Sequence, residues 1–141
     1  MKPDYFTLDQ RLARDTFPVT DLPLCAVRLM DNKLFPWLVL VPKVADAREW
    51  IDLSREQQHQ LSDEIAIVSH IFQALVTPEK LNIATLGNQV SQLHVHVIAR
   101  YRADKAWPNP VWGGPSELYA EAESRQFIYE VKSALESLQL S

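Results

Sequence analysis

The stretch Gln92-Leu93-His94-Val95-His96-Val97-Ile98-Ala99-Arg100, QLHVHVIAR, decides how this 141-residue chain reads. Two of its four histidines stand two residues apart inside an apolar run. Side chains on a β-strand alternate between its faces. On a strand over residues 92–101, Gln92, His94 and His96 share one face, with about 6.5–7 Å between successive positions. Leu93, Val95 and Val97 share the other, which packs on a core. An amide and two imidazoles thus come within reach of one small anionic group. Imidazole is a nucleophile when neutral and a charged donor when protonated, and its ordinary pKa of about 6.5 makes both forms available near neutral pH. One ring can attack phosphorus while its neighbour donates to an oxygen.

Two plainer readings stand beside this one. The pair can be structural, or it can supply two ligands of a zinc site. No third ligand is evident nearby. His59 and His70 belong to a helix read over 55–76, eleven residues and so about three turns apart, and suit its surface. No metal or other cofactor is expected.

The composition fits one globular domain, 1–141: 47% of residues are hydrophobic and 23% charged. The net charge of −4 comes without a basic run, so a nucleic-acid face is not expected. A small phosphate ligand is still compatible, because local donors can hold it. The single cysteine, Cys25, has no intramolecular partner and lies in the apolar run LPLCAVRLM, as a buried side chain would. No segment resembles a signal core, and none approaches the ~20 apolar residues of a membrane span. The expectation is a soluble, cytoplasmic protein.

Residues 8–16 read as a short helix, 24–30 as a strand, and Asp31-Asn32-Lys33 as a turn. The run 37–43, WLVLVPK, closes on Pro42 and reads as a buried strand. Ser54 and Gln57 form a capping-box pattern ahead of a helix striped by Leu61, Ile65, Val68, Phe72 and Leu75, with Asp63 and Glu64 off the stripe. Thr77-Pro78 ends that helix. Residues 81–87 read as a third strand with a turn at Gly87-Asn88. An ordered loop over 103–115 is pinned by Trp107 and Trp112, either of which suits base stacking or plain anchoring. A last helix is capped by Ser116 and striped by Phe127, Val131, Leu135 and Leu138. This order suits an α+β fold, an antiparallel sheet with helices packed on it. A right-handed crossover through the long helix is the alternative.

At 92–100 the sequence resembles the histidine-triad (HIT) superfamily of nucleotide hydrolases and transferases. The second and third histidines of its motif, the apolar positions and the arginine match, with Gln92 at the first position. Gly87-Asn88-Gln89-Val90-Ser91 resembles the family's phosphate loop. Leu81-Asn82-Ile83 and the run 37–43 resemble its strands, so the likeness spans about residues 20–101. The ending DKAWPNPVWGG (104–114) is similar to that of a bacterial subgroup labelled diadenosine-tetraphosphate-hydrolase-like.

This resemblance implies a sheet of about five strands with two main helices, doubled as a homodimer. It implies that His94 attacks the α-phosphate of a nucleotide, that a nucleotidyl-histidine forms, and that water releases the mononucleotide. His96 then contacts phosphate or the leaving oxygen. Gly87, Asn88, Gln89 and Asn82 serve nucleotide binding, and Asp31 or Asn32 contacts ribose. Glutamine at 92 cannot titrate, although it can donate one hydrogen bond and accept another. Two functions therefore stay open: a hydrolase of dinucleoside polyphosphates or nucleoside phosphoramidates, and a nucleotide-binding protein with little turnover.

Overall fold

The computed structural model describes residues 5–139. In chain order the elements are α1 (Gln10–Asp15), β1 (Thr16–Asp21), β2 (Cys25–Met30), β3 (Trp37–Pro42), α2 (Arg55–Val76), β4 (Lys80–Ala84), β5 (Val95–Arg100) and α3 (Glu121–Gln139). The strands form one sheet in the order β1-β2-β3-β5-β4, and every neighbouring pair is antiparallel. The molecule is an α+β fold.

β3 and β5 lie at its centre, and every residue of both is buried. Their near-continuous apolar sequences follow from this, because both faces of the sheet are covered. On one face, Leu38, Leu40, Val95 and Val97 pack under Leu61, Val68 and Phe72 of α2 and Val131 and Leu135 of α3. On the other, Trp37, Val39, Val41 and Ile98 pack against Leu12 of α1, Phe35 and Val111. The histidines belong to this second face: Val39 of β3 lies opposite His96.

Ser54 and Gln57 make both bonds of the capping box at α2, at 3.1 and 2.8 Å. The helix stops where Thr77 turns left-handed, φ 41°. Among the described residues, no helix is long and apolar enough to cross a membrane.

Several boundaries depart from the sequence reading. Residues 16–21, unread as structure, form β1, an edge strand that tolerates Pro18 and bulges between Pro18 and Thr20. The third strand ends at Ala84, and β5 begins only at Val95, leaving a loop over 85–94. Ser116 is not the cap of the last helix, which starts at Glu121. The chain before it is held instead by the 31–33 turn: the Lys33 N–H donates to the Glu117 carbonyl at 2.7 Å, and the Asp31 carboxylate accepts from the Tyr119 N–H at 2.9 Å. Leu75 and Leu138 are partly exposed at the ends of their stripes.

Glu64, expected off the buried stripe, is fully buried. Its carboxylate accepts from the N–H groups of Leu24 and Cys25, both at 2.8 Å, and from the Gln60 amide at 2.6 Å. Buried backbone donors at the entry to β2 need an acceptor, and Glu64 supplies it. Cys25 is buried, as expected; burial first, and Glu64 second, hold its thiol well above the ordinary range.

Candidate active site

His94 is the last residue before β5, and His96 is the second residue within it. Their rings stand side by side, centroids 4.8 Å apart and nearly perpendicular. Strand alternation therefore aims both rings to one side, as the sequence suggests.

Each ring has a fixed tautomer. His94 Nδ1 lies 2.6 Å from the Gln92 carbonyl oxygen. A carbonyl only accepts, so Nδ1 carries a proton, and in the neutral ring Nε2 is the nitrogen with the lone pair. His96 is arranged the opposite way. The Trp37 indole N–H donates to its Nδ1 at 3.0 Å. An indole N–H only donates, so His96 carries its proton on Nε2. That Nε2 is buried and has no hydrogen-bond partner among the described residues. Burial, and to a lesser degree the neighbouring His94, push the His96 pKa down to about 3. The pair thus presents one nucleophilic nitrogen and one neutral N–H donor. Trp112 completes the surround, its ring centroid 5.1 Å from that of His96 and 5.9 Å from that of Trp37.

Both histidines line a cavity of about 420 Å³, together with Asn88 and Gln89 of the 85–94 loop and with Trp37 and Trp112. The loop is set by three contacts. The Arg11 guanidinium donates to the Gln89 carbonyl at 2.7 Å. Val90 packs against the apolar cluster on the histidine face. At Gly87 a Cβ would come within 2.9 Å of the Val90 carbonyl, so a side chain there would force the loop apart. Gly87 lines an adjoining cavity, which shares Leu86, Asn88 and His94 with the first.

Gln92 uses both its donor and its acceptor, on partners in the N-terminal segment. Its side chain makes no hydrogen bond to His94. Its amide instead donates to the Thr7 carbonyl and accepts from the Asp9 N–H, both at 2.8 Å. It acts as a clamp that holds the N-terminal segment, while its own carbonyl orients His94.

Asp31 and Asn32 line a neighbouring cavity that shares Asp15, Met30 and Trp37 with the histidine cavity. Asn32 is buried, and its side-chain oxygen accepts from the N–H groups of Leu34 and Glu117 at 3.2 and 3.3 Å. Asp31 is the more open of the pair. Asn82 is not brought to the histidines: its side-chain oxygen accepts from Arg100 at 2.8 Å. Arg100 is itself buried, paired with Asp104 at 2.8 Å and bonded to the Asn109 carbonyl at 2.7 Å. Trp107 lies against Arg100 rather than in the cavity. Burial alone would raise the Asp104 carboxyl. The Arg100 guanidinium and the N–H groups of Tyr101, Ala106 and Trp107 outweigh it and hold that carboxyl below the usual range.

Sequence reasoning did not assign a site role to Trp37, Asp15, Leu12 or Met30, all of which line the histidine cavity. Only the strand pairing brings Trp37 to His96. His59 and His70 are exposed on α2, as expected. Among the described residues, no three His, Cys, Asp or Glu side chains form a metal-holding group.

A five-stranded antiparallel sheet that aims a tautomer-locked histidine pair into a cavity beside a glycine loop defines a class of protein. The HIT domain family model matches residues 11–103, and the chain belongs to that family. It is similar to a histidine triad protein from Bradyrhizobium japonicum at 44% identity, covering 94% of this chain and 99% of that one, with a TM-score of 0.91. A histidine triad protein from Sinorhizobium meliloti 1021 is 45% identical over 92% of this chain and 96% of its own, with a TM-score of 0.89. One from Marinobacter aquaeolei VT8 is 41% identical over 95% and 98%, with a TM-score of 0.91. No curated protein matches the chain.

Proposed function

We propose that the protein is a nucleotide hydrolase that works through a covalent nucleotidyl-histidine on His94. The observation that carries this reading is the 2.6 Å contact from His94 Nδ1 to the Gln92 carbonyl, which places the Nδ1 proton there and makes Nε2 the lone-pair nitrogen of the neutral ring, beside the cavity that His94 lines. In the first step the Nε2 lone pair forms a bond to the α-phosphorus. The bond from phosphorus to the leaving group breaks, and its electron pair departs with that group. In the second step the oxygen of a water attacks phosphorus. The P–N bond breaks, its pair returns to Nε2, and the proton lost by water goes to solvent or to the released phosphate. The Nε2–H of His96 stabilises the charge that builds on phosphate oxygen.

The substrate class is a dinucleoside polyphosphate or a nucleoside phosphoramidate. Asn88 and Gln89, with the backbone at Gly87, supply donors to phosphate. Asp31, rather than the enclosed Asn32, suits the ribose, because a carboxylate accepts from both hydroxyls. Gln92 takes the place of the first triad histidine as a positioning residue with no proton to relay. Asn82 belongs to the Arg100 network more than to the ligand. The same reading includes a cytoplasmic homodimer. Supporting the pairing, the edge strand β4 exposes Ile83, and Leu86 beyond it is also exposed.

Protein mixed with labelled diadenosine tetraphosphate and quenched without acid, which would cleave a P–N bond, tests this. An adenylyl adduct that disappears in His94→Ala supports the enzyme. Tight AMP binding with neither adduct nor product would mean a binding protein.

A further inference from the structure

We propose that residues 115–119 form a strap that builds the nucleoside end of the site: the Tyr119 N–H holds the Asp31 carboxylate for ribose, and the Leu118 side chain walls the nucleoside. The inference rests on the nucleotide reading above, which takes Asp31 as the ribose contact. It adds what positions that contact and how the chain selects a ribonucleoside.

The segment has no regular secondary structure, yet it is tied down along its length. The Lys33 N–H donates to the Glu117 carbonyl at 2.7 Å, and the Glu117 N–H donates back to the Asn32 side-chain oxygen at 3.3 Å. The Lys33 ammonium pairs with the Glu117 carboxylate at 3.0 Å. Two residues on, the Tyr119 ring packs against the core that α2 and α3 cover.

The side chains of Ser116-Glu117-Leu118-Tyr119 alternate in what they meet, as side chains do along extended chain. Glu117 and Tyr119 serve as anchors. Ser116 and Leu118 line the cavity of about 410 Å³ that shares Asp15, Met30 and Trp37 with the histidine cavity. That volume is of the size small ligands occupy. Leu118 is 69% exposed, so its side chain is open to apolar contact with a ligand there.

Asp31 joins the strap to the ligand. Its Oδ1 accepts from the Tyr119 N–H at 2.9 Å, while Oδ2 has no hydrogen-bond partner among the described residues. The carboxylate is thus held by one oxygen and keeps the other for the vicinal hydroxyls of a ribose. Asp31 lines the same cavity as Leu118. A side chain already fixed in its binding rotamer loses less freedom when the ligand arrives. A 2′-deoxyribose offers one hydroxyl fewer and gains less from that order.

The test measures binding of AMP and 2′-deoxy-AMP by calorimetry in the wild type, Tyr119→Ala, Tyr119→Pro and Leu118→Ser. Both Tyr119 variants lose the ring, but only proline also loses the N–H. The wild type should bind AMP about tenfold more tightly than 2′-deoxy-AMP. Tyr119→Ala should keep that ratio, and Tyr119→Pro should reduce it to within about twofold. Leu118→Ser should weaken both nucleotides about fivefold and leave the ratio alone. Because Leu118 is exposed, that variant keeps its core and reads the wall even where Tyr119→Pro does not fold. Equal wild-type affinity for the two nucleotides overturns the inference. So does an AMP preference in Tyr119→Pro equal to that in Tyr119→Ala, or a Leu118→Ser variant with unchanged affinities. In each of these cases wild-type AMP binding leaves the nucleotide reading standing. A wild type that binds neither nucleotide removes that reading and the inference together.

Discussion

The indole N–H of Trp37 and Nδ1 of His96 are 3.0 Å apart, and this single bond fixes which nitrogen of the neutral His96 ring carries the proton. The two residues lie 59 positions apart and meet because β3 pairs with β5, Val39 opposite His96 and Trp37 opposite Ile98. Replacing Trp37 by Phe keeps a ring but removes the donor. His96 then loses its reason to hold the proton on Nε2, and a buried hydrogen bond worth about 1 kcal/mol goes with it. Nitrogen-resolved NMR should show a single Nε2–H tautomer for His96 in the wild type and a mixture in Trp37→Phe. Turnover in the variant should fall by roughly tenfold, in line with a misplaced donor. A single unchanged tautomer in Trp37→Phe would mean that the indole does not set it.

The buried His96 also links stability to pH. Burial holds its pKa near 3, while in the unfolded chain it takes the ordinary 6.5. Between those values the unfolded chain binds a proton that the folded chain does not. Stability from this residue is complete above pH 6.5 and declines as pH falls toward 3. From pH 6.5 to about pH 4.5 the loss amounts to about 2 kcal/mol. Denaturant titrations of wild type and His96→Gln across that window should show the wild type losing stability more steeply by this amount. Parallel curves would mean that His96 titrates normally in the fold.

Gln92 should act on the N-terminal segment and not on the chemistry. Gln92→Ala removes two hydrogen bonds to Thr7 and Asp9, a cost of about 1–3 kcal/mol. The carbonyl that orients His94 is main chain and survives. Limited proteolysis near residues 7–11 should accelerate, while the His94 adduct still forms. Loss of the adduct with the segment still protected would put the side chain into the reaction instead.

The Arg100–Asp104 pair should matter for stability out of proportion to its size. Both side chains are almost fully buried, and Arg100 also holds Asn82 and the Asn109 carbonyl. Asp104→Ala strands a buried guanidinium, at about 3–5 kcal/mol. It should lower the thermal midpoint markedly and free the loop that carries Trp112, seen as a red-shifted tryptophan emission. A change within ~1 kcal/mol would show that the pair is solvated and weak.

Much of the site was readable in QLHVHVIAR because strand alternation is a local rule. It put His94 and His96 on one side and Val95 and Val97 on the other without knowledge of any partner strand. The capping box at Ser54 and Gln57 was legible for the same reason, since both bonds close within four residues. What escaped depends on distant pairing. Trp37 reads as one more apolar residue of a buried strand until β3 is set beside β5. Gln92 finds its partners 83 and 85 residues away in a segment without periodicity. Glu64 carries the charge of a surface residue, and its role as a buried acceptor for Leu24 and Cys25 appears only when α2 lies on β2. β1 was hidden by Pro18, which an edge position accepts.

The most direct measurement is rapid acid-free quench of the protein with diadenosine tetraphosphate, followed by mass mapping of the peptide that contains residues 92–100. The mechanism predicts an adenylyl group on His94 within the first turnover, lost in His94→Ala and retained in Gln92→Ala. AMP released at full rate with no modified histidine, or with the group on His96, would contradict it.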